Sequence, residues 1–378
     1  MAFCFMEGNE AVAWGAKAAG CRFFAGYPIT PATTIYNTML EILPPGGGIC
    51  MQGEDEIASI GFCLGASMCG MKAMTATSGP GISLYSEQIS FATGSEIPIV
   101  IVDVQRLGPS TGSATRGADG DIQFLRWGNS GGIPLIVLAP ADVKDCYLLT
   151  FAAFNLAETC RCPVIVASNK EIGMTRENID LSALALPESV HRNTAPEDRP
   201  YLPFHTSGEN GVPDFLPIGC HIPVRQTSST HGPDGYITTD PEIIAATQRR
   251  LIAKVESAVE DFTCHEFMEA PQSETLILTY GVSSRSAKAA YHQLNRAGKP
   301  VSLLTLKRLW PAPENLIRSI AAPMRHIVVV EMNMGQYLRE IERVLPNKRI
   351  SFVGKMNGAL ITPDEIIEGV HRGRQLTE

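Results

Sequence analysis

The sequence predicts an α/β protein of two domains, each built on a mainly parallel sheet, and three observations carry that prediction. From residue 7 to about 170, helix-period and strand-like segments alternate with short turns between them. Continuous apolar runs such as Ile97-Pro98-Ile99-Val100-Ile101-Val102 suit strands covered on both faces. After a proline-rich interruption the same alternation resumes beyond Pro271.

In the first half, strands are expected at 22–25, 49–52, 72–77, 98–104, 133–139 and 163–168. Helices between them fall at 10–19, 31–43, 55–70, 83–93 and 142–159. The helix at 31–43 opens on a proline preceded by Thr30, the pattern of an N-cap followed by Pro at the first helical position. The helix at 55–70 opens on acids, which the helix dipole favours there. From about 186 to 240, Pro196, Pro200, Pro203, Pro213, Pro217, Pro223 and Pro233 interrupt any periodicity, so this stretch reads as an arm. An amphipathic helix follows at 241–262. The second half then offers strands at 275–280, 300–306, 326–331 and 349–353, with helices at 284–296, 313–320, 336–345 and 363–370.

With 378 residues, 44% hydrophobic and 19% charged, the chain can bury two cores. A net charge of -8 without Lys/Arg clusters argues against nucleic acid or an anionic membrane surface as partner. No apolar run reaches the ~20 residues of a membrane span, and Met1-Ala2-Phe3-Cys4 lacks the features of a signal peptide. A cytoplasmic protein is expected. The 10 cysteines are scattered without any Cys-x-x-Cys, which fits buried reduced thiols better than a metal or cluster site held by this chain alone. All 8 histidines lie beyond residue 190, so chemistry seated in the first half must use other groups.

In open parallel sheets ligands bind outside the carboxyl ends of the strands, and four of those turns are unusual. Gly26-Tyr27-Pro28-Ile29-Thr30-Pro31 holds a threonine between two prolines. Glu54-Asp55-Glu56 heads a helix made largely of small residues, which lets a cofactor, a backbone or a second helix come close. Thr77-Ser78-Gly79-Pro80-Gly81 offers open backbone, although a tight turn uses the same residues. Gln105-Arg106-Leu107-Gly108-Pro109-Ser110-Thr111-Gly112 brings a guanidinium able to bind a carboxylate bidentately; taken alone, Arg106 could equally pair with Asp103. Neither a Gly-x-Gly-x-x-Gly after a strand nor a P-loop is present.

These four segments, with Tyr280-Gly281 and Glu331-Met332-Asn333 further on, resemble the alpha subunit of 2-oxoacid:ferredoxin oxidoreductases, which are thiamine diphosphate enzymes. The resemblance implies a pyrimidine-binding-like domain over 1–185, an arm and connecting helix over 186–270, and a transketolase C-terminal-like domain over 271–378. It further implies that one acid contacts N1′ of the cofactor's aminopyrimidine and promotes the imino form that deprotonates the thiazolium. Thiamine enzymes commonly carry a glycine nine residues after that acid, and Glu56 with Gly65 meets the spacing where Glu54 does not. Carried over in the same way, Pro28, Ile29, Ser78 and Gly79 lie near the cofactor, and Thr30, Arg106, Ser110 and Thr111 contact the substrate.

The usual diphosphate motif, Gly-Asp-Gly with a later Asn, is missing; Gly117-Ala118-Asp119-Gly120 departs from it. The resemblance therefore implies a beta subunit holding the diphosphate, Mg2+ and a 4Fe-4S cluster, together with gamma and ferredoxin-like delta subunits, coenzyme A and ferredoxin as acceptor. The run after Arg106 is most similar to 2-oxoglutarate enzymes, with branched-chain 2-oxoacid enzymes such as those for 2-oxoisovalerate as the alternative. Arg116 and Arg126 are the candidates for a second substrate carboxylate. A non-catalytic scaffold or a non-redox transketolase-type subunit are the competing readings.

Overall fold

The computed structural model describes residues 3–196, 200–206, 208, 210–260, 262 and 264–375. Fourteen strands form three sheets among the described residues. In chain order they are β1 (Phe3–Glu7), β2 (Phe23–Gly26), β3 (Ile49–Gln52), β4 (Ala73–Thr77), β5 (Ile99–Gln105), β6 (Ile136–Leu138) and β7 (Pro163–Asn169). There follow β8 (Arg176–Asp180), β9 (His265–Met268), β10 (Thr275–Tyr280), β11 (Ser302–Leu306), β12 (Arg308–Trp310), β13 (His326–Glu331) and β14 (Arg349–Gly354).

The first sheet runs β12-β6-β7-β5-β4-β2-β3 and the second β14-β13-β10-β11-β9. Both are parallel except at one edge strand each, where β12 meets β6 and β9 meets β11 in antiparallel fashion. Every residue of β4, β5 and β7 is buried, as apolar runs covered by helices on both faces require. Two apolar clusters fill the molecule, and each draws on both halves of the chain: Val100, Phe154 and Val328 lie in one, Ile101, Tyr85 and Leu304 in the other.

Several elements differ from the sequence expectation. The helix expected from 31 spans Thr33–Ile42 with Ala32 at its N-cap, so Thr30 is no cap. The helix expected at 83–93 is broken into Pro80–Leu84 and Ser86–Gly94, with Tyr85 turned into the core between them. The strand expected at 133–139 narrows to β6. Strands β1, β8, β9 and β12 and the helix Ile122–Trp127 were not expected. β1 and β8 pair only with each other, and β1 leaves Phe3 and Phe5 exposed, so neither shows a buried-strand pattern.

The proline-rich stretch lies along the molecule as a strap. Arg192, buried and paired with Glu158 at 2.7 Å, donates to the carbonyls of Ser67 at 2.9 Å and Met71 at 3.3 Å. Ile218 N–H donates to the Met68 carbonyl at 2.9 Å. The cation and the donors thus hold the carboxyl-terminal end of the helix Glu56–Met68, where the dipole favours positive charge. Among the described residues no helix is long and apolar enough to cross a membrane.

Candidate active site

Strands β5, β4, β2 and β3 are neighbours and parallel, so the turns that follow them lie side by side along one sheet edge. Topology alone therefore gathers the four unusual turns.

The three acids after β3 have three different surroundings. Glu54 is exposed. Asp55 is the N-cap of the helix Glu56–Met68, its carboxylate accepting the Ala58 N–H at 2.7 Å and its carbonyl the Ser59 hydroxyl at 2.7 Å. Glu56 is only 7% exposed, and its carboxylate makes no hydrogen bond or ion pair with any described residue. Capping thus accounts for Asp55 and leaves Glu56 without a structural role. A carboxylate that neither caps its helix nor pairs within the chain is left available to a group outside the chain, which marks Glu56 as a candidate ligand contact.

What surrounds Glu56 is polar and close. A Cβ on Gly81 would stand 2.0 Å from Thr77 Oγ1 and 2.9 Å from Glu56 Oε1, so only glycine fits beneath the carboxylate. The Thr77 and Ser78 hydroxyls are buried without a hydrogen-bond partner. Gly79, at φ 45°, turns the chain in the left-handed region and packs its backbone on Arg106; a Cβ there would lie 3.5 Å from Arg106 Cγ and Nε. We expect Gly81→Ala to push Glu56 aside and lower turnover of the assembled enzyme about 100-fold, the cost of a misplacement of about 1 Å. Steady-state rates, with circular dichroism to show an unchanged fold, check this.

Arg106 is 5% exposed and does not pair with Asp103. Its guanidinium donates to the Thr30 carbonyl at 2.5 Å and the Thr111 carbonyl at 2.9 Å, while Nε is buried without a partner. Burial lowers its pKa, opposed by the charges of Asp121 and Glu56 nearby. Asp103, fully buried, is pushed well above the ordinary carboxyl range by burial and then by the charge of Asp121. Asp121 is itself lifted by burial to about 6, restrained by Asp103 and by Arg106. Burial thus pushes both members of this carboxyl pair toward the neutral form, and Asp121 is the member whose charge acts on Arg106.

The remaining predicted residues sit around this centre. Thr30 is exposed and supplies its carbonyl to Arg106, with its hydroxyl free of described partners. Pro28 and Ile29 are half-buried in the same turn, and Ile29 packs on the core. Ser110 and Thr111 are exposed. Arg116 is exposed where the excursion from Arg106 returns, its carbonyl accepting the Leu107 N–H at 2.8 Å. Arg126 lies elsewhere, stacked on Trp127 in a cleft of about 1090 Å³ that also contains Glu256, Trp310 and Glu340 but neither Glu56 nor Arg106.

Asp121 and Gln105 escape a reading by sequence. Gln105 Oε1 accepts the Asp121 N–H at 3.0 Å, joining the loop at 117–123 to the residue before Arg106. The only signal for Asp121 is its place beside the Gly117-Ala118-Asp119-Gly120 string, which reads as a lapsed diphosphate motif.

Residues 14–249 match the family described as pyruvate flavodoxin/ferredoxin oxidoreductase, thiamine diP-bdg, and residues 273–366 match pyruvate:ferredoxin oxidoreductase core domain II. The chain is 40% identical over 370 residues to the 2-oxoglutarate synthase subunit KorA of Methanocaldococcus jannaschii, covering 97% of this chain and 98% of that one. It superimposes with a TM-score of 0.92 and 32% identity on the 2-oxoglutarate:ferredoxin oxidoreductase of Magnetococcus marinus, solved with 2-oxoglutarate, coenzyme A and succinyl-CoA bound. That match covers 98% of this chain and 65% of the other. A split-gene transketolase, an inactive beta4 tetramer, shares the fold at a TM-score of 0.59 and 13% identity, covering 98% of each chain.

Proposed function

The chain belongs to the pyruvate flavodoxin/ferredoxin oxidoreductase family, whose models match it over 14–249 and 273–366, and we propose that it is the alpha subunit of a 2-oxoglutarate:ferredoxin oxidoreductase. The reaction is the reversible conversion of 2-oxoglutarate and coenzyme A to succinyl-CoA and carbon dioxide, with electrons passed to ferredoxin. The observation that carries this reading is Glu56, a buried carboxylate with no internal partner, above a glycine that leaves it room and beside an arginine.

That set fits the aminopyrimidine of thiamine diphosphate. A carboxylate, two unpartnered hydroxyls and an open glycine turn match a flat heterocycle with both donors and acceptors. Thiamine diphosphate supplies a nucleophilic carbon and an electron sink when bound. Glu56 would hold N1′ of the aminopyrimidine and share a proton with it, which only an ionisable group can do. Ser78 and Gly79 line the ring, with Pro28 and Ile29 on the adjoining turn. Arg106 turns its fork to the substrate carboxylate, exchanging backbone carbonyls for a charged acceptor, and Thr30, Ser110 and Thr111 close around it.

The helix Glu56–Met68 supports a shared site. A Cβ on Gly65 would meet nothing within 4 Å, and Ile57 and Phe62 are exposed at 48% and 42%. Such an open face of small and apolar residues beside a half-built site suits a beta subunit that brings the diphosphate site, Mg2+ and a 4Fe-4S cluster. Gamma and ferredoxin-like delta subunits complete the assembly.

Co-purified with its beta partner, the chain should reduce viologen or ferredoxin with 2-oxoglutarate and coenzyme A faster than with pyruvate or 2-oxoisovalerate. Preference for 2-oxoisovalerate would reassign the substrate to the branched-chain class. Arg106→Lys should lower kcat/KM about 10- to 100-fold, since one charge-assisted bond of the fork is lost. The effect should fall mainly on KM.

A further inference from the structure

The carboxyl edge of the second sheet, where a ligand would be sought, is filled by the chain itself. At the ends of β10 and β13, Tyr280 donates its hydroxyl to Glu331 Oε2 at 2.7 Å, and Asn333 Nδ2 donates to the same oxygen at 2.9 Å and to the Asp119 carbonyl at 2.8 Å. The Asp119 N–H donates to the Met332 carbonyl at 2.9 Å. Gln336 completes the grip: its Oε1 accepts the Gln123 N–H at 2.9 Å, its carbonyl accepts Gln123 Nε2 at 2.7 Å, and its Nε2 donates to the Gly120 carbonyl at 2.5 Å. Asn333 Oδ1 in turn accepts the Gly335 and Gln336 N–H groups, each at 2.9 Å, which orients Gln336.

The gripped loop at 117–123 has a second attachment. Asn169, at the end of β7, donates to Asp119 Oδ1 at 2.7 Å. Between these fixed points, the Asp121 N–H donates to Gln105 Oε1 at 3.0 Å, and the Asp121 charge acts on Arg106. Hydrogen bonds from the second sheet thus fix Gly120 and Gln123, and Asp121, held between them in the chain, bonds to Gln105, the residue that precedes Arg106.

We propose that Gln336 and Asn333 are positioning residues for substrate binding: through the loop at 117–123 they hold Asp121 and Gln105 so that the Arg106 guanidinium is fixed for a 2-oxoacid carboxylate. The inference rests on the assignment of Arg106 to the substrate. The second sheet then serves as a clamp on the first sheet's rim.

Gln336→Ala tests it, because the residue is only half-buried and its removal strands no charge. In the full chain, amide exchange should quicken at Gln123, whose partner is lost, and also at Asp121, which Gln336 does not touch. In the complex with the beta partner, KM for 2-oxoglutarate should rise about 3- to 30-fold with kcat unchanged. Combined with Arg106→Lys it should add no further loss, since both act through one guanidinium. Gln336→Glu keeps the acceptor for Gln123 but loses the donor to Gly120, and should fall between Gln336→Ala and the native enzyme. Faster exchange confined to Gln123, an unchanged KM in both Gln336 variants, or an effect that multiplies in full with that of Arg106→Lys would overturn the inference. An unchanged KM in Arg106→Lys would instead overturn the assignment of Arg106, and this inference with it.

Discussion

Glu56→Gln should cut turnover of the assembled enzyme by about 10²- to 10⁴-fold, the range expected when a group that shares a proton in catalysis loses that ability. Glutamine has the same shape and still accepts a hydrogen bond, so cofactor and partner should continue to bind. The isolated chain should lose no stability. The Glu56 carboxylate makes no ion pair or hydrogen bond with described residues, so its neutral replacement breaks no such contact. Viologen reduction by the complex and urea unfolding of the chain measure the two sides. Full activity, or a stability loss comparable to that of a buried ion pair, would refute the assignment of Glu56.

The same substitution at Glu96 should do the reverse. Glu96 is fully buried at φ 53°, a strained conformation for a side-chain-bearing residue, and is held by Lys254 at 2.6 Å and Arg250 at 2.6 Å. Arg161, also left-handed at φ 46°, donates to its carbonyl at 3.2 Å. Burial pushes the Glu96 carboxyl up, but Lys254, Arg250 and Arg161 outweigh it and bring it down to about 2. Glu96→Gln leaves the buried Lys254 ammonium uncompensated and should destabilise by about 3–5 kcal/mol. Because the folded carboxyl titrates below its ordinary 4.5, the ion pairs contribute fully above about 4.5 and fade as pH falls toward 2. The stability gap between native chain and variant should therefore shrink across that interval in acid unfolding curves; a gap independent of pH would argue against the ion pairs as its source.

The comparison between sequence and structure turns on range. Strands such as β5 and β7 announce themselves because burial on both faces demands unbroken apolar runs, a local property. The four turns are equally legible, since alternation implies parallel strands, whose carboxyl ends share one edge where ligands bind. The choice of Glu56 over its neighbours came from the resemblance, through the glycine nine residues on, and the cap at Asp55 separates the roles in space. What stayed hidden is long-range. Three residues of β12 carry no pattern of their own and become a strand only against β6. Thr30 followed by Pro31 has the composition of a helix start, yet the backbone there bends to give Arg106 a carbonyl. Asp119 reads as a remnant of the diphosphate motif and Asp121 carries no signal of its own; only the folded chain shows them as a joint between two sheets.

The antiparallel pairing of β12 with β6 also sets an order of events during synthesis. β6 leaves the ribosome with the rest of the first sheet, but its edge partner, Arg308–Trp310, follows only after the strap, the connecting helix and half of the second sheet have been made. At roughly 5–20 residues per second, the Ile136–Leu138 edge waits about 10–30 s with the backbone groups on its outer side unpaired. During that interval the nascent chain is open to strand addition by a neighbour on the same message. Chaperone demand should therefore end when Trp310 docks its indole on the Ile122 carbonyl, rather than when the first sheet's parallel strands are complete.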